Sequence, residues 1–170
     1  DTLHTISPID GRYRKNVEEL ASRVSEAALI EYRVLVEGEY LIALSELGLG
    51  LRKFTADEKA LIKKTSNDFS PEDAQRVSEI EQTTDHDVKA VEYFLKEKLG
   101  GTSLKDCVEW IHFGLTSEDI NSCAYGLMLT EVKKHNILPN LEDLMVAINA
   151  LAKEHADLPM LARTHGQPAS

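Results

Sequence analysis

The chain has 170 residues and a formal net charge of −10, with 42% hydrophobic and 28% charged residues. This length suits one domain, or one domain and the beginning of another, with a core that needs no covalent cross-links. The acidic balance argues against a nucleic-acid or membrane-surface partner, because a negative field repels polyanions, and no apolar stretch is long enough to span a bilayer.

The two cysteines, Cys107 and Cys123, have neither CxxC spacing nor a paired histidine cluster. We interpret them as buried small hydrophobes in a reducing compartment, and we predict no disulfide, no metal site and no cofactor. No cationic leader precedes an apolar run, so a soluble, cytoplasmic protein is expected. The chain lacks an initial Met and stops in HGQPAS without a helix-ending signal, so we expect it to belong to a longer protein.

Apolar residues recur at helical spacing along nearly the whole chain, and strand signals are almost absent, which predicts an all-α fold. The first predicted helix begins near Asn16, with Glu19 three residues on, and ends at Gly48-Leu49-Gly50. Its apolar stripe consists of Leu20, Val24, Ala27, Ala28, Val34, Leu41, Leu44 and Leu47.

Capping signals predict the next helix starts. Thr55 with Glu58 opens a second helix, and Ser70 followed by Pro71 opens a third. Thr84 is predicted to cap a fourth helix, which stops at 100–101, and residues 103–112 are expected to form a further short helix.

From Thr116 onward one apolar face is sustained over a long span, and Pro139 is expected to kink it or to start a new segment. Such a face needs neighbours along its length, which we expect from a missing part of the chain or from other subunits. We therefore predict a compact N-terminal helical domain at 1–111 and the beginning of a long helical-bundle domain at 112–170. The face consists of Ile120, Cys123, Ala124, Leu127, Leu141, Leu144, Met145, Ile148, Leu151 and Ala152.

A histidine between two aspartates stands at the predicted start of the fourth helix. With Thr84 as N-cap, Asp85, His86 and Asp87 occupy the first three helical positions, where acidic side chains complement the helix dipole. An imidazolium there opposes the dipole, which favours the neutral ring, while the adjacent aspartates act in the other direction. The residues alone leave open whether His86 is functional or an ordinary surface histidine.

Two further segments could bind an anion. Thr116 and Ser117 begin a capped helix whose free backbone N–H groups and hydroxyls could hold a carboxylate or phosphate, although such caps are common without function. Arg12 and Tyr13 lie together in a turn, and arginine is suited to a bidentate grip on phosphate. A surface arginine in a flexible N-terminal turn is the alternative.

His165 is the fourth candidate. Pro159 and Pro168 bracket it, so we predict a loop, and loops held by rigid helices often carry reactive side chains. His112, just before the cap at Thr116, could face the same pocket as that cap. The remaining histidines, His4, His135 and His155, are interpreted as solvated.

Four segments occur in register along the chain: SPIDGRY at 7–13, TTDHDVKAVEYFLKEK at 83–98, IHFGLTSEDIN at 111–121 and ARTHGQPA at 162–169. Together they resemble the adenylosuccinate lyase family of the fumarase and aspartase superfamily. The resemblance covers nearly the whole chain, and HGQPA discriminates this family from argininosuccinate lyases and fumarases. Asp85 departs from the Asn or Arg often found at its position.

The resemblance implies a homotetramer with a long central helical bundle and active sites assembled from several subunits. It implies β-elimination of fumarate from adenylosuccinate, which leaves AMP, and from SAICAR, which leaves AICAR. By position, Arg12 and Tyr13 would contact the phosphate, and Thr116 and Ser117 would hold the succinyl part. Asp85, His86 and Asp87 would line the nucleotide pocket.

His165 matches the histidine that protonates the leaving nitrogen, and His112 falls where some members have a phosphate-contacting histidine. The family's base is a serine on a mobile loop that has no counterpart before Ser170, so the resemblance implies that this polypeptide alone is inactive. Two alternatives remain: another fumarate-releasing lyase of the superfamily, and a non-catalytic helical oligomerisation module.

Overall fold

The structure is a computed structural model that describes residues 3–159, 162–165 and 167–169. Within these residues the fold is α-helical, as predicted. The α-helices are α1 (Ala21–Val24), α2 (Glu26–Leu47), α3 (Ala56–Asn67), α4 (Pro71–Thr84), α5 (Asp87–Gly100), α6 (Ser117–Val132) and α7 (Leu138–Glu154). Short 3₁₀ turns span Arg14–Asn16, Glu18–Leu20 and Val108–Trp110, and one π-helical turn spans Lys133–Ile137.

The chain divides into two compact units, residues 1–132 and 133–170. The predicted domain boundary between residues 111 and 112 lies inside the first unit, because α6 packs against α2. The boundary at residues 111 and 112 separates the N-terminal domain from a bundle domain that is predicted to be incomplete in this chain. It therefore stays a prediction.

Helix α2 is the central element of the first unit and packs against α3, α4, α5 and α6. The main core lies between α2, α3, α4 and α5, and a smaller cluster of Leu29, Ala124 and Met128 lies between α2 and α6. A Cβ atom on Gly38 would lie 3.1 Å from Cγ2 of Ile62, so α2 and α3 are in close contact at this glycine. The largest fully buried side chains are Phe94, Leu41, Ile62, Leu95, Leu99, Leu104 and Ile120.

The predicted first helix is interrupted at Ser25. This residue is extended, with φ −75° and ψ 167°, and its hydroxyl accepts a hydrogen bond from the Ala28 amide at 3.2 Å. Ser25 is therefore the N-cap of α2, and the segment before it forms 3₁₀ turns and the short α1. A serine inside a helical pattern can cap a new helix as readily as continue the old one, which is why periodicity alone missed the break. The predicted end is correct, since Gly48 caps α2 at φ 68°.

Two of the predicted caps are confirmed as complete capping boxes. Thr55 pairs with Glu58 at the start of α3, and Ser70 pairs with Asp73 at the start of α4, where Pro71 is the first helical residue. The segment expected to form a helix at 103–112 instead consists of turns and the 3₁₀ turn at Val108–Trp110.

The prediction that Thr84 caps the next helix is wrong. Thr84 is the last residue of α4, Asp85 ends that helix in the left-handed conformation at φ 50°, and His86 is the N-cap of α5. Asp87 is thus the first helical residue. Asp tolerates the left-handed region because its short side chain can hydrogen-bond locally, and this allows two helices to meet with only two residues between them.

In the second unit, the π-helical turn at Lys133–Ile137 precedes α7, and Pro139 lies in the first turn of α7. This agrees with the predicted start of a new segment at the proline. None of the residues of α7 is buried. The unit ends in a β-hairpin of Ala162–Thr164 and Gln167–Ala169, paired antiparallel with Arg163 opposite Pro168, where a loop was predicted.

Two other expectations concern the whole chain. None of the helices that the structure describes is both long and apolar enough to cross a membrane. Cys107 is buried as predicted, whereas Cys123 is exposed, so the interpretation of both cysteines as buried hydrophobes is wrong for Cys123. Cys123 lies on α6, where Ala124 and not Cys123 faces α2.

Candidate functional site

The site is built around the junction between α4 and α5. As N-cap, His86 uses Nδ1 to accept a hydrogen bond from the Lys89 amide at 3.2 Å. A ring nitrogen that accepts a hydrogen bond carries no proton, so in the neutral ring the proton is on Nε2. Nε2 lies 3.3 Å from Oγ of Ser117, and the hydrogen bond therefore runs from the imidazole to the hydroxyl.

The start of α6 supplies the hydroxyl groups. The Thr116 amide and hydroxyl both donate to Oδ2 of Asp119, at 2.8 and 3.0 Å. These bonds, the amide first, lower the pKa of the Asp119 carboxyl below its ordinary value. Thr116 is thus engaged in capping, while Ser117 directs its hydroxyl to His86, so the two members of the predicted pair have different environments.

His112 approaches the same region from the loop before α6. Its Nδ1 lies 2.5 Å from Oε1 of Glu37, a residue of α2 with 0% exposure. The neighbouring Phe113 carbonyl accepts a hydrogen bond from the Tyr40 hydroxyl at 2.8 Å. Two side chains of α2, one turn apart, therefore hold this loop in place.

Asp87 is also held by a side chain of α2. The guanidinium of Arg33, which is 4% exposed, donates to Oδ2 of Asp87 at 2.5 Å and to Oδ1 of Asn121 at 2.9 Å. The other oxygen of Asp87 accepts from the Val88 amide at 2.8 Å. Both carboxylate oxygens are occupied, so the contacts of Asp87 in this chain are structural ones that join the starts of α5 and α6 to α2.

Arg33, Glu37 and Tyr40 form one line along α2, at spacings of four and three residues, and we call them the α2 polar stripe. Each holds a different part of the site: Asp87, His112 and the Phe113 carbonyl, respectively. Sequence reasoning missed all three. The available signal was limited to the two charged residues, Arg33 beside Val34 and Glu37 between Val34 and Leu41, at positions that helical spacing assigns to the core face.

The side chains enclose a cleft of about 450 Å³. Among the described residues no carboxylate lines it, although the chain is strongly acidic. Its ionisable side chains are two imidazoles and the Lys89 ammonium, which is paired with Glu92 at 2.8 Å. Local donors can therefore attract an anion against the overall field. The cleft is lined by Thr84, His86, Lys89, His112, Leu115, Thr116 and Ser117.

A larger groove of about 890 Å³ lies beside the cleft, between α4 and α5. Its cationic side chains are already paired with carboxylates: Arg76 with Glu97, Lys96 with Glu92 and Glu109, and Lys89, which also lines the cleft, with Glu92. An anionic ligand in the groove would have to break these ion pairs, whereas the cleft also offers the His86 imidazole and the Ser117 hydroxyl, so the smaller cleft is the better candidate.

Of the remaining predicted residues, Arg12 and Tyr13 lie elsewhere in the first unit, and His165 belongs to the second unit. Arg12 and Tyr13 are exposed and line a separate concavity of about 540 Å³, together with Leu3, Thr5 and Pro8. His165 is exposed at the tip of the hairpin in the second unit, next to Gly166, which lies outside the described residues. The structure thus brings together His86, His112, Thr116 and Ser117, with Asp85 and Asp87 flanking His86 in the chain, and does not bring Arg12 or Tyr13 into this cleft.

Backbone strain coincides with the predicted site. Among the described residues, the non-glycine residues with positive φ are Asp85 at 50°, His112 at 62° and His165 at 50°. A left-handed conformation costs a residue with a side chain about 1–2 kcal/mol, and such costs persist where the surroundings or a function require them. All three are among the candidate site residues that the sequence predicts.

A fold of packed helices, with an anion-attracting cleft at two helix starts, agrees with the family comparison. The family model described as Lyase matches residues 11–170. The chain therefore belongs to the Lyase family.

Comparison with individual relatives shows which members of the family this chain is similar to. The chain is 44% identical to an adenylosuccinate lyase of Vibrio cholerae and 44% identical to that of Escherichia coli, over 99% of the chain in both cases. It is 46% identical to the adenylosuccinate lyase of Dictyostelium discoideum over its whole length. The resemblance stated from the four motifs is confirmed. The chain spans 38% of the length of each of these relatives.

Proposed function

We propose that the complete protein to which this chain contributes is an adenylosuccinate lyase, a carbon–nitrogen lyase of purine nucleotide biosynthesis. It releases fumarate from adenylosuccinate to give AMP, and from SAICAR to give AICAR. The observation that carries the proposal is the contact of His86 with Ser117 in a cleft whose described lining also includes His112 and no carboxylate. The identity to three lyases of that name supports the same substrate.

The reaction needs donors placed in advance. Removal of a proton from the carbon next to a carboxylate builds negative charge on that carboxylate, and preorganised donors stabilise it. Thr116 and Ser117, at the start of α6, are proposed to hold this succinyl part. Asp85, His86 and Asp87 are proposed to form the adjoining wall of the nucleotide pocket, with the His86 imidazole in contact with the ligand and Asp87 fixing the start of α5.

As the C–N bond breaks, its electron pair goes to the nitrogen, which must take up a proton. His165 is proposed to give that proton, since a histidine can change its protonation near neutral pH. The carbon-bound proton goes to a base that we do not assign to this chain, and the isolated 170-residue polypeptide is predicted to release no fumarate. Arg12 and Tyr13 are proposed to bind the phosphate. No metal or cofactor is required.

The apolar face of α7 supports a proposal about assembly. Leu141, Leu144, Met145, Ile148 and Leu151 are all exposed, and a contiguous apolar surface of this kind marks a site of protein contact. We propose that other subunits cover it in a homotetramer, so that the site is completed by residues from several chains. A cytoplasmic location, with neither nucleic acid nor membrane as partner, belongs to the same proposal.

His165→Ala in the full-length protein tests the enzyme against the non-catalytic module. Loss of a general acid lowers kcat about 10²- to 10⁴-fold, and we expect a loss of this order in fumarate release, with the oligomeric state unchanged. His155→Ala is the matched control, because His155 is also an exposed histidine of the second unit. Unchanged turnover together with lost assembly would favour the oligomerisation module.

Arg12→Ala tests the substrate. A nucleotide substrate should show a markedly higher KM, because its phosphate loses a charged partner, whereas a fumarate adduct without phosphate should be indifferent. Arg14→Ala serves as control, since Arg14 is exposed and paired with Glu18 at 2.7 Å. An unchanged KM for adenylosuccinate in the Arg12 variant would point to another lyase of the superfamily.

A further inference from the structure

Glu37 is a buried charged residue on α2. It lies in the middle of α2 with 0% exposure, between the buried Val34 and Leu41. Its Oε1 is 2.5 Å from Nδ1 of His112, while Oε2 has no hydrogen-bond partner among the described residues. Removing a carboxylate from water is costly, and half of this group is uncompensated.

The direction of the pKa shift of Glu37 agrees with a cost of burying its charge. Burial raises the pKa of the Glu37 carboxyl above its ordinary value of 4.5, and the contact with His112 acts in the opposite direction. A well-packed apolar residue of similar size would avoid the penalty, and replacing buried ionic groups in this way is often neutral or stabilising. The presence of a carboxylate here therefore calls for a reason other than stability.

The contact of Glu37 with His112 gives such a reason. Its backbone is held in the left-handed region at φ 62°, and its side chain is 17% exposed in the wall of the cleft. When Glu37 is ionised its oxygens can only accept hydrogen bonds, so the contact then places a proton on Nδ1. Nε2 is then the ring nitrogen left for a ligand, and no described residue bonds to it.

We propose that Glu37 is a positioning residue for His112. It fixes the orientation and the Nδ1–H tautomer of the imidazole, so that Nε2 meets an anionic oxygen of the substrate bound beside His86 and Ser117. This role rests on the proposed function for the identity of that ligand, a nucleotide with phosphate and carboxylate groups. Tyr40 anchors the same loop through the Phe113 carbonyl, so α2 holds both the backbone and the ring.

The test compares Glu37→Leu, Glu37→Gln, His112→Ala and the double variant Glu37→Leu/His112→Ala in the full-length protein. Glu37→Leu should lower kcat/KM for adenylosuccinate about 10- to 100-fold, the equivalent of one hydrogen bond to a charged group, mainly through KM. Its thermal unfolding midpoint should be equal to or above that of the wild type. The double variant should have the kcat/KM of His112→Ala.

Glu37→Gln should recover most of the loss, because its amide oxygen can accept the same hydrogen bond from Nδ1. Glu58→Gln is the matched control: Glu58 is also buried, but it pairs with Arg52 and does not line the cleft, so kcat/KM should be unchanged. Calorimetry measures the affinity of the same variants for AMP without turnover. The order of these affinities should match the order of kcat/KM.

Two outcomes would overturn the positioning role while leaving the proposed function intact: wild-type kinetics in Glu37→Leu, or additive losses in the double variant together with a lowered unfolding midpoint. A wild-type protein that neither releases fumarate nor binds AMP would instead overturn the proposed function, and with it the ligand assigned to His112.

Discussion

The buried guanidinium of Arg33 gives the sharpest test of how the site is held together. It is 4% exposed, whereas its partner Asp87 has a side chain that is 40% exposed. Arg33→Met removes hydrogen bonds to one charged and one neutral partner, worth roughly 2–4 kcal/mol, but it also removes the cost of burying the cation. Since Asp87 can be rehydrated, we expect a net loss of about 1–3 kcal/mol.

Asp87→Ala should cost more, although Asp87 is the more exposed of the two. It leaves the Arg33 guanidinium buried without its anion, for which about 3–5 kcal/mol is typical. It also removes an acid from the first turn of α5. The double variant should be no less stable than Asp87→Ala, because its uncompensated charge is gone.

Equilibrium urea unfolding of the full-length protein, at one fixed protein concentration, measures these differences. Arg14→Met is the control: its pair with Glu18 is exposed, and we expect no measurable change in stability. If Asp87→Ala proved as stable as Arg33→Met or more so, the account of Arg33 as a buried cation that depends on its partner would be refuted.

Two other expectations concern the first unit. Hydrogen bonds from Arg52 lower the pKa of Glu58 from 4.5 to about 2, so its stabilising contribution is complete above pH 4.5 and is lost as the pH falls toward 2. The gap in unfolding midpoint between wild type and Glu58→Gln should therefore close over that range, and a gap that persisted at pH 2 would contradict this. Gly38→Val should cost about 1–3 kcal/mol, because its Cβ meets Ile62, whereas Gly126→Ala, in open space on α6, should gain about 0.5–1 kcal/mol; equal unfolding midpoints for these two variants would contradict the close contact between α2 and α3.

Local sequence signals predicted a helix end correctly where a single capping residue determines it. Thr55 and Ser70 cap α3 and α4 as expected, and Gly48 ends α2, because each makes its bond within a few residues of itself. The junction at 84–87 was misplaced by two residues. Thr84 and His86 can both act as caps, and the choice between them depends on Asp85 adopting a positive φ, which no local pattern of side chains specifies.

The motifs identified candidate site residues, but they did not show which of these residues lie in contact. The residues His86 and Ser117 were each selected separately, and their contact at 3.3 Å depends on how α5 and α6 pack against α2. Whether Arg12, Tyr13 and His165 join them stays a prediction. Glu37 was missed because helical periodicity assigns positions to faces, and a charged residue on a core face has no local partner that would reveal its purpose.

The amino-acid sequence by itself determined the helical class and most of the helix ends, because caps, turns and apolar spacing act over one or two turns of chain. It also supplied the candidate site residues. Only the tertiary structure decided which of those residues meet. The α2 polar stripe contacts residues 54, 75 and 73 positions away along the chain, and partners at such separations are chosen by helix packing, which no short stretch of sequence encodes.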